Sequence, residues 1–428
     1  MTPPLPSDPL PRRTLLRLAG LTGVAGATAG LASCAGAPGG GDSGDFTVYW
    51  NAGHGYAAYK DVIDTFESDH GITVNLQKFQ WDDLRTQLLS DMQSGHAPDL
   101  VETPGGWVRE FAVSGDALSL ESYIADDGED MGYPKDWQER TRKHNAYHGK
   151  TYGIQLHLTC SLLFYNRALF KKANVRPPTT WDELLDVAKK LTSGDVHGIA
   201  LNQDYTYSWP WMLQNGVRYF DPDGKDFLHP HDAAIEALAF QRDLVHRHKV
   251  SPVPTPGTDY SGPQKLLSAG RAAMILTGPW DLGPIAESSP DLDLGIAPAL
   301  KGKQRSTLQA GSNMFIPRKA PHPDLAWDLI KRLTTLKVER AATKETGMLM
   351  PRLSWAKGAQ VRDDPKAKPF ADAFGYAVDY GDDVSLTGKS GDINDLYKKL
   401  YQSVVIDDKA PDAAVKSFVS AAGDLVRG

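Results

Sequence analysis

The chain has 428 residues, with 46 Lys and Arg against 53 Asp and Glu and a formal charge of −7. That acidity argues against nucleic acid as a partner, and the length suffices for two domains with separate cores. Only two cysteines are present, Cys34 and Cys160, so no intramolecular disulfide is expected once Cys34 is modified.

Arg12, Arg13 and Arg17 form a basic n-region, followed by a run of apolar and small residues from Leu15 to Leu31. The run is too short and too rich in Gly and Ala for a transmembrane helix. It ends in Leu31-Ala32-Ser33-Cys34, which resembles a bacterial lipobox. Residues 1–33 therefore read as a lipoprotein signal peptide, Cys34 as the lipidation site, and Gly-rich residues 34–44 as a flexible tether. The expected location is the outer face of the cytoplasmic membrane. Arg12-Arg13 also resembles a twin-arginine export signal, although Sec signals carry paired arginines too. The remaining 395 residues hold 43 basic and 52 acidic side chains, near −9.

Strands then alternate with helices, as in an α/β protein. Phe46–Trp50 reads as a strand and runs into the loop Asn51–Gly55. A helix with Tyr59, Val62, Ile63 and Phe66 on one face stops at Gly71. Ile72–Leu76 is the next strand, a helix spans Leu84 to Met92, and Ala97–Val101 is a third strand. This βαβαβ opening predicts a parallel sheet whose strand C-termini face a crevice. Thr180 and Glu183 have capping-box spacing ahead of Leu184, Val187, Ala188 and Leu191. Ala272–Thr277 is a buried-type strand that halts at Gly278-Pro279-Trp280, and helices follow near Leu325–Leu333 and Ala413–Val426. Cys160 sits in an apolar stretch and reads as a small core residue.

Catalytic signatures are weak. There is no Gly-x-Ser-x-Gly elbow. Gly388-Lys389-Ser390 hints at a phosphate loop, but residue 383 is Asp where such a loop needs Gly. His144 and His148 are spaced i, i+4, yet their basic segment lacks the intervening Glu of a zinc protease, and a solvated face is expected. No metal, cofactor or catalytic residue is assigned. The two carboxylates of a secreted glycosidase, roughly 5–10 Å apart, are a pattern that sequence leaves open.

A series of blocks, in order along nearly all of the chain after residue 44, resembles the large sugar-binding proteins of bacterial ABC importers, the maltose/maltodextrin-binding family. These are Asn51 to Val74; Gly95-His96-Ala97-Pro98-Asp99-Leu100; Phe164–Phe170 with Pro177–Leu184; Ser208-Trp209-Pro210; Thr258–Ser261; Gly270–Trp280; and Gly347–Arg352. The resemblance implies a two-lobed periplasmic-binding-protein-like fold with hinge crossings between the lobes. Residues 45–155 plus 304–350 would form lobe 1, and 156–303 plus 351–428 lobe 2. It further implies a monomer that takes a carbohydrate, docks on ABC importer permease subunits and stays at the membrane through Cys34.

A sugar offers apolar C–H faces and a rim of hydroxyls, so its site needs planar aromatics and short polar groups. Trp181 and Trp327 sit in helical patterns and read as core, while Trp81, Trp137 and Trp355 are left undecided. Trp209 and Trp280 lie at element ends, where open sheets place ligands. Trp280 also matches a family position that stacks on sugar, and Tyr205 and Tyr207 fall in a segment that binds ligand in similar proteins. Trp107 and Tyr397 complete the aromatic candidates. Asn51, His54, Glu102, Ser312 and Asn313 are the polar ones, each equally readable as a solvated loop residue. His54 stands where the maltose-binding protein has a lysine, which leaves the sugar's identity open. The competing readings are a binder of another solute, such as a glycerophosphodiester, and the secreted glycosidase.

Overall fold

The computed structural model describes residues 45–221, 226–257 and 259–427. The expected signal peptide, Cys34 and the tether lie outside the described residues. Strand β1 (Asp45–Asn51) sends Phe46, Val48 and Trp50 into one core and Tyr49 into another, as the two-residue period of a strand dictates. It is followed by α1 (Ala57–His70), β2 (Thr73–Phe79), α2 (Trp81–Ser94), β3 (Leu100–Pro104) and α3 (Trp107–Ser114). Tyr59, Ile63 and Phe66 are buried along α1, which ends at Gly71. Both β2 and β3 pair with β1 in parallel, so their carboxyl ends share one edge. The third strand begins at Leu100, three residues later than Ala97. Pro98 has no N–H for a ladder, and the Asp99 carboxylate instead accepts from the Thr47 N–H at 2.7 Å.

The sheet runs in the order Ala377–Val378, Thr307–Phe315, β3, β1, β2, and Gly153–Cys160 also pairs with Thr307–Phe315. Every residue of Gly153–Cys160 is buried. Through Ser161 this strand passes into Leu162–Asn166, the middle strand of a second sheet, antiparallel to both Met274–Thr277 and Leu294–Ala297. The Leu158 N–H donates to the Leu349 carbonyl at 3.1 Å, drawing a third length of chain alongside. Two α/β lobes with crossings between them result. Trp50, Phe66, Trp137 and Trp327 fill one large core, while Trp181, Trp209, Trp211 and Phe418 fill another.

The helix Trp181–Leu191 buries Leu184, Val187, Ala188 and Leu191. Thr180 Oγ1 accepts from the Glu183 N–H at 3.2 Å, but the Glu183 carboxylate accepts from the Thr179 N–H at 2.7 Å. Half of the expected reciprocal box forms, and its other half shifts back by one residue. The two later expected segments lie within Pro323–Leu333 and Pro411–Arg427. Cys160 is fully buried, and burial pushes its thiol pKa up. Among the described residues, no helix is long and apolar enough to cross a membrane.

Candidate functional site

The carboxyl end of β1 turns at Asn51, whose Oδ1 accepts from the Gly53 N–H at 2.8 Å and tightens Ala52–His54 into one 3₁₀ turn. Glu102 on the neighbouring β3 secures that turn twice. Its Oε2 accepts from the Asn51 N–H at 2.9 Å, and its Oε1 lies 2.5 Å from His54 Nδ1. Trp50 Nε1 donates to the His54 carbonyl at 2.9 Å, fixing the backbone as well. Trp81 opens α2 and Trp107 opens α3, both just beyond a strand end. The rings of His54 and Trp81 meet edge to face at 5.9 Å, and those of Trp81 and Trp107 at 6.4 Å. One wall of a cleft is thereby built from the first sheet.

The opposite wall comes from the second lobe. Asp204 caps the turn Tyr205–Ser208, its Oδ1 accepting from the Thr206 N–H at 2.8 Å. Trp280 follows the strand Met274–Thr277 and donates its indole N–H to Tyr207 Oη at 3.2 Å. Its ring lies against Gly278, where a Cβ would come within 2.1 Å of it. Tyr260 and Tyr380 join this wall, and Gln155, Thr159, Ser161 and residues 308–311 of the crossing strands form the floor. The cleft so enclosed has a volume of about 1380 Å³, open solvent at its mouth included.

Its charges are acidic. Asp82, Asp204 and Asp379 line it, whereas no Lys or Arg does among the described residues. Asp82 pairs with Lys398, and Asp379 lies 3.2 Å from His144 Nδ1. Burial raises the pKa values of Asp204, Tyr205, Tyr207 and Tyr380, which keeps the phenols protonated as donors. Behind Trp280, Asp281 is pushed up to about 7, chiefly by burial.

Of the expected binding residues, Trp280, Tyr207, Tyr205, His54 and Trp107 line the cleft. The others do not reach it. Trp209 is fully buried, sandwiched between Tyr380 at 4.6 Å and Tyr397 at 5.0 Å. Tyr397 is equally buried, its hydroxyl 3.1 Å from Ser208 Oγ. Trp209 starts a short helix whose residues are all buried, and Tyr397 lies on the buried face of the helix Ser390–Tyr401 together with Ile393, Leu400 and Tyr401. Asn51 and Glu102 act behind the wall, on the turn that carries His54. Ser312 and Asn313 are buried within a crossing strand, bonded to His157 and Asn145 respectively.

The sequence reading missed Trp81, Asp82, Asp204, Tyr260, Tyr380 and His144. Trp81 stands just after a strand end, the same signal that singled out Trp280. Tyr380 also follows a strand end, but Ala377–Val378 has only two residues and leaves no pattern in the sequence, and the Tyr380 ring then stacks on Trp209. His144 corrects the solvated-face expectation: it is buried, and His148 lies beyond its helix in a turn at φ 47°. Ser390, in the segment weighed as a phosphate loop, is buried at the start of a helix and donates to Glu110. His54, Glu102 and His157 lie within 4.8 Å of one another, a spacing open to a metal. Yet His157 hydrogen-bonds Tyr59 at 2.6 Å and Ser312 at 2.8 Å, and His54 Nδ1 is taken by Glu102. Both His157 nitrogens and His54 Nδ1 are thus already hydrogen-bonded, which leaves His54 Nε2 as the one ring nitrogen of the cluster without a partner among the described residues.

The profile of the bacterial extracellular solute-binding proteins matches residues 51–339. A binding protein of Brucella abortus (strain 2308) is 25% identical over 394 residues, covering 86% of this chain and 90% of that protein. The maltotriose-binding protein of Pyrococcus abyssi is 26% identical over 315 residues, 70% of this chain and 63% of its own. Among solved structures, an ABC transporter solute-binding protein of Thermotoga lettingae bound with α-D-tagatose superposes with a TM-score of 0.80 at 25% identity. That match covers 90% of this chain and all of the other. With a two-lobed fold, a cleft between strand ends and a family match across most of its length, this chain belongs to the bacterial extracellular solute-binding proteins.

Proposed function

We propose that this protein captures an oligosaccharide outside the cytoplasm and delivers it to an ABC importer. The observation that carries the reading is the pair of facing aromatic walls, Trp81 and Trp107 on one side and Trp280 and Tyr207 on the other. Such rings stack on the C–H faces of sugars, while Asp204, Asp82 and Gln155 offer edge groups for hydroxyls. The maltotriose and tagatose of two relatives support a sugar as ligand, and the maltotriose an oligosaccharide. A glycerophosphodiester is disfavoured, because among the described residues no Lys or Arg lines the cleft to meet its phosphate and the neighbouring Lys398 is already paired with Asp82. A glycosidase reading is weaker too: Asp82 is neutralised by Lys398, and Asp379 is paired with His144. The activity proposed is binding without catalysis.

Lobe 1 (45–155 plus 304–350) and lobe 2 (156–303 plus 351–428) would close about the crossing strands. Ligand contacts complete only in the closed form shift the population toward closure. Cys34 would carry the lipid anchor after removal of residues 1–33, keeping a monomeric receptor at the outer face of the cytoplasmic membrane. Isothermal titration against mono- and oligosaccharides, with glycerophosphocholine and inorganic phosphate as controls, tests the ligand class. Binding of a control with no sugar bound would overturn it. Fractionation of Cys34→Ser tests the anchor, and unimpaired export of an Arg12/Arg13→Lys double variant would exclude the twin-arginine route.

A further inference from the structure

Resting on that sugar-binding reading, we infer that Glu102 sets the tautomer of His54, so that the cleft presents a hydrogen-bond acceptor at His54 Nε2 to a ligand hydroxyl. Glu102 is fully buried and accepts two hydrogen bonds as a carboxylate: from the Asn51 N–H at 2.9 Å, and from His54 Nδ1 at 2.5 Å. An acceptor at Oε1 requires the proton on Nδ1. In the neutral imidazole, Nε2 is then left with a lone pair. His54 lines the cleft, and its Nε2 has no hydrogen-bond partner among the described residues.

The rings around it hold it still, and none of them donates to Nε2. His157 packs edge to face at 4.8 Å, Tyr56 lies at 5.8 Å and Trp81 at 5.9 Å. His157 is kept neutral chiefly by its burial, and its two nitrogens are occupied by Tyr59 and Ser312. Glu102 is therefore a positioning residue, and His54 is the group that meets the ligand. An acceptor at this point selects a ligand that can donate, which a free hydroxyl does and an O-methylated one does not.

The same geometry states what a conservative change would do. In Glu102→Gln, the Asn51 N–H claims the amide oxygen, which leaves the NH₂ facing His54 Nδ1. A donor there forces the imidazole into the other tautomer, with the proton on Nε2. The atom shown to the ligand changes from acceptor to donor while side-chain volume is nearly unchanged.

The test is long-range ¹H–¹⁵N NMR of the imidazole rings in the full domain, with His54→Gln used to assign the resonance, alongside titration of the best sugar from the calorimetric panel. The wild-type protein should show a protonated Nδ1 and an unprotonated Nε2 that shifts upfield on sugar saturation. Glu102→Gln should show the reversed tautomer and bind that sugar at least tenfold more weakly. The wild-type spectrum stands alone if the variant fails to fold. Sugar binding with an unmoved Nε2 resonance, or a wild-type Nε2–H tautomer, overturns this inference and leaves the binding function standing. Absence of binding to every sugar overturns both.

Discussion

Trp280 and Tyr207 come from segments 73 residues apart, yet the indole N–H of one donates to the hydroxyl of the other at 3.2 Å. Their rings stand at 80° with centroids 6.4 Å apart. The hydrogen bond fixes the indole plane before any ligand arrives, so little rotamer entropy remains to be lost on binding.

Trp280→Ala should therefore weaken sugar binding by about 1–3 kcal/mol, the scale of losing one buried aromatic platform. Calorimetry gives the affinity, and circular dichroism should show an unchanged fold. Tyr207→Phe, which frees the indole but keeps the ring, should cost less than Trp280→Ala. An equal or larger loss in the phenylalanine variant contradicts the stacking role.

Trp209 should behave in the opposite way. It lies fully inside a stack with Tyr219, Tyr380 and Tyr397, so Trp209→Ala leaves a cavity and should destabilise the protein by about 3–5 kcal/mol. Urea denaturation reads that loss. Trp209→Phe should keep most of the stability and nearly all of the affinity, because Tyr380 still has a ring to rest on.

Asp281 makes stability depend on pH. Thr277 Oγ1 donates to its Oδ2 at 2.6 Å, but burial dominates and lifts the carboxyl pKa from 3.8 to about 7. A raised folded-state pKa contributes stability that is present below the unfolded value and lost as pH rises through 7. The full span is on the order of 4 kcal/mol. Asp281→Asn should therefore be more stable than wild type at pH 8, with a flatter profile between pH 4 and 8. Melting curves across that range check it.

Gly311 sits on the cleft floor at φ +148°, and an added Cβ would meet the His157 carbonyl at 2.1 Å. The pairing register of its strand slips one residue later, between Ser312 and Asn313. Gly311→Ala forces the two crossing strands apart. It should lower stability by about 1–3 kcal/mol and weaken sugar binding as well, as thermal denaturation and calorimetry on one preparation would show.

Local rules made much of the fold legible. The apolar face of α1 and its stop at Gly71, the Thr180 cap and the buried strand before Trp280 depend on neighbours within a few residues, and such spacing is written along the chain. The ordered blocks added the two-lobed architecture. The binding residues divide differently. Trp280 and His54 could be named because they stand at turns beyond element ends, and Tyr205 and Tyr207 because their segment resembles one that binds ligand in similar proteins; Trp107 is a further aromatic candidate. Trp209 carries the same element-end signal and Tyr397 is named beside it, but packing buries both rings. Glu102 and Asn51 are polar loop-edge residues whose work is to hold His54, a role visible only when two parallel strands lie side by side. Amino-acid order determined which segments become strands and helices and which ones end in exposed turns. Only the tertiary structure decided which aromatic rings face solvent across the cleft, because that depends on packing between segments as distant as Trp81 and Tyr380.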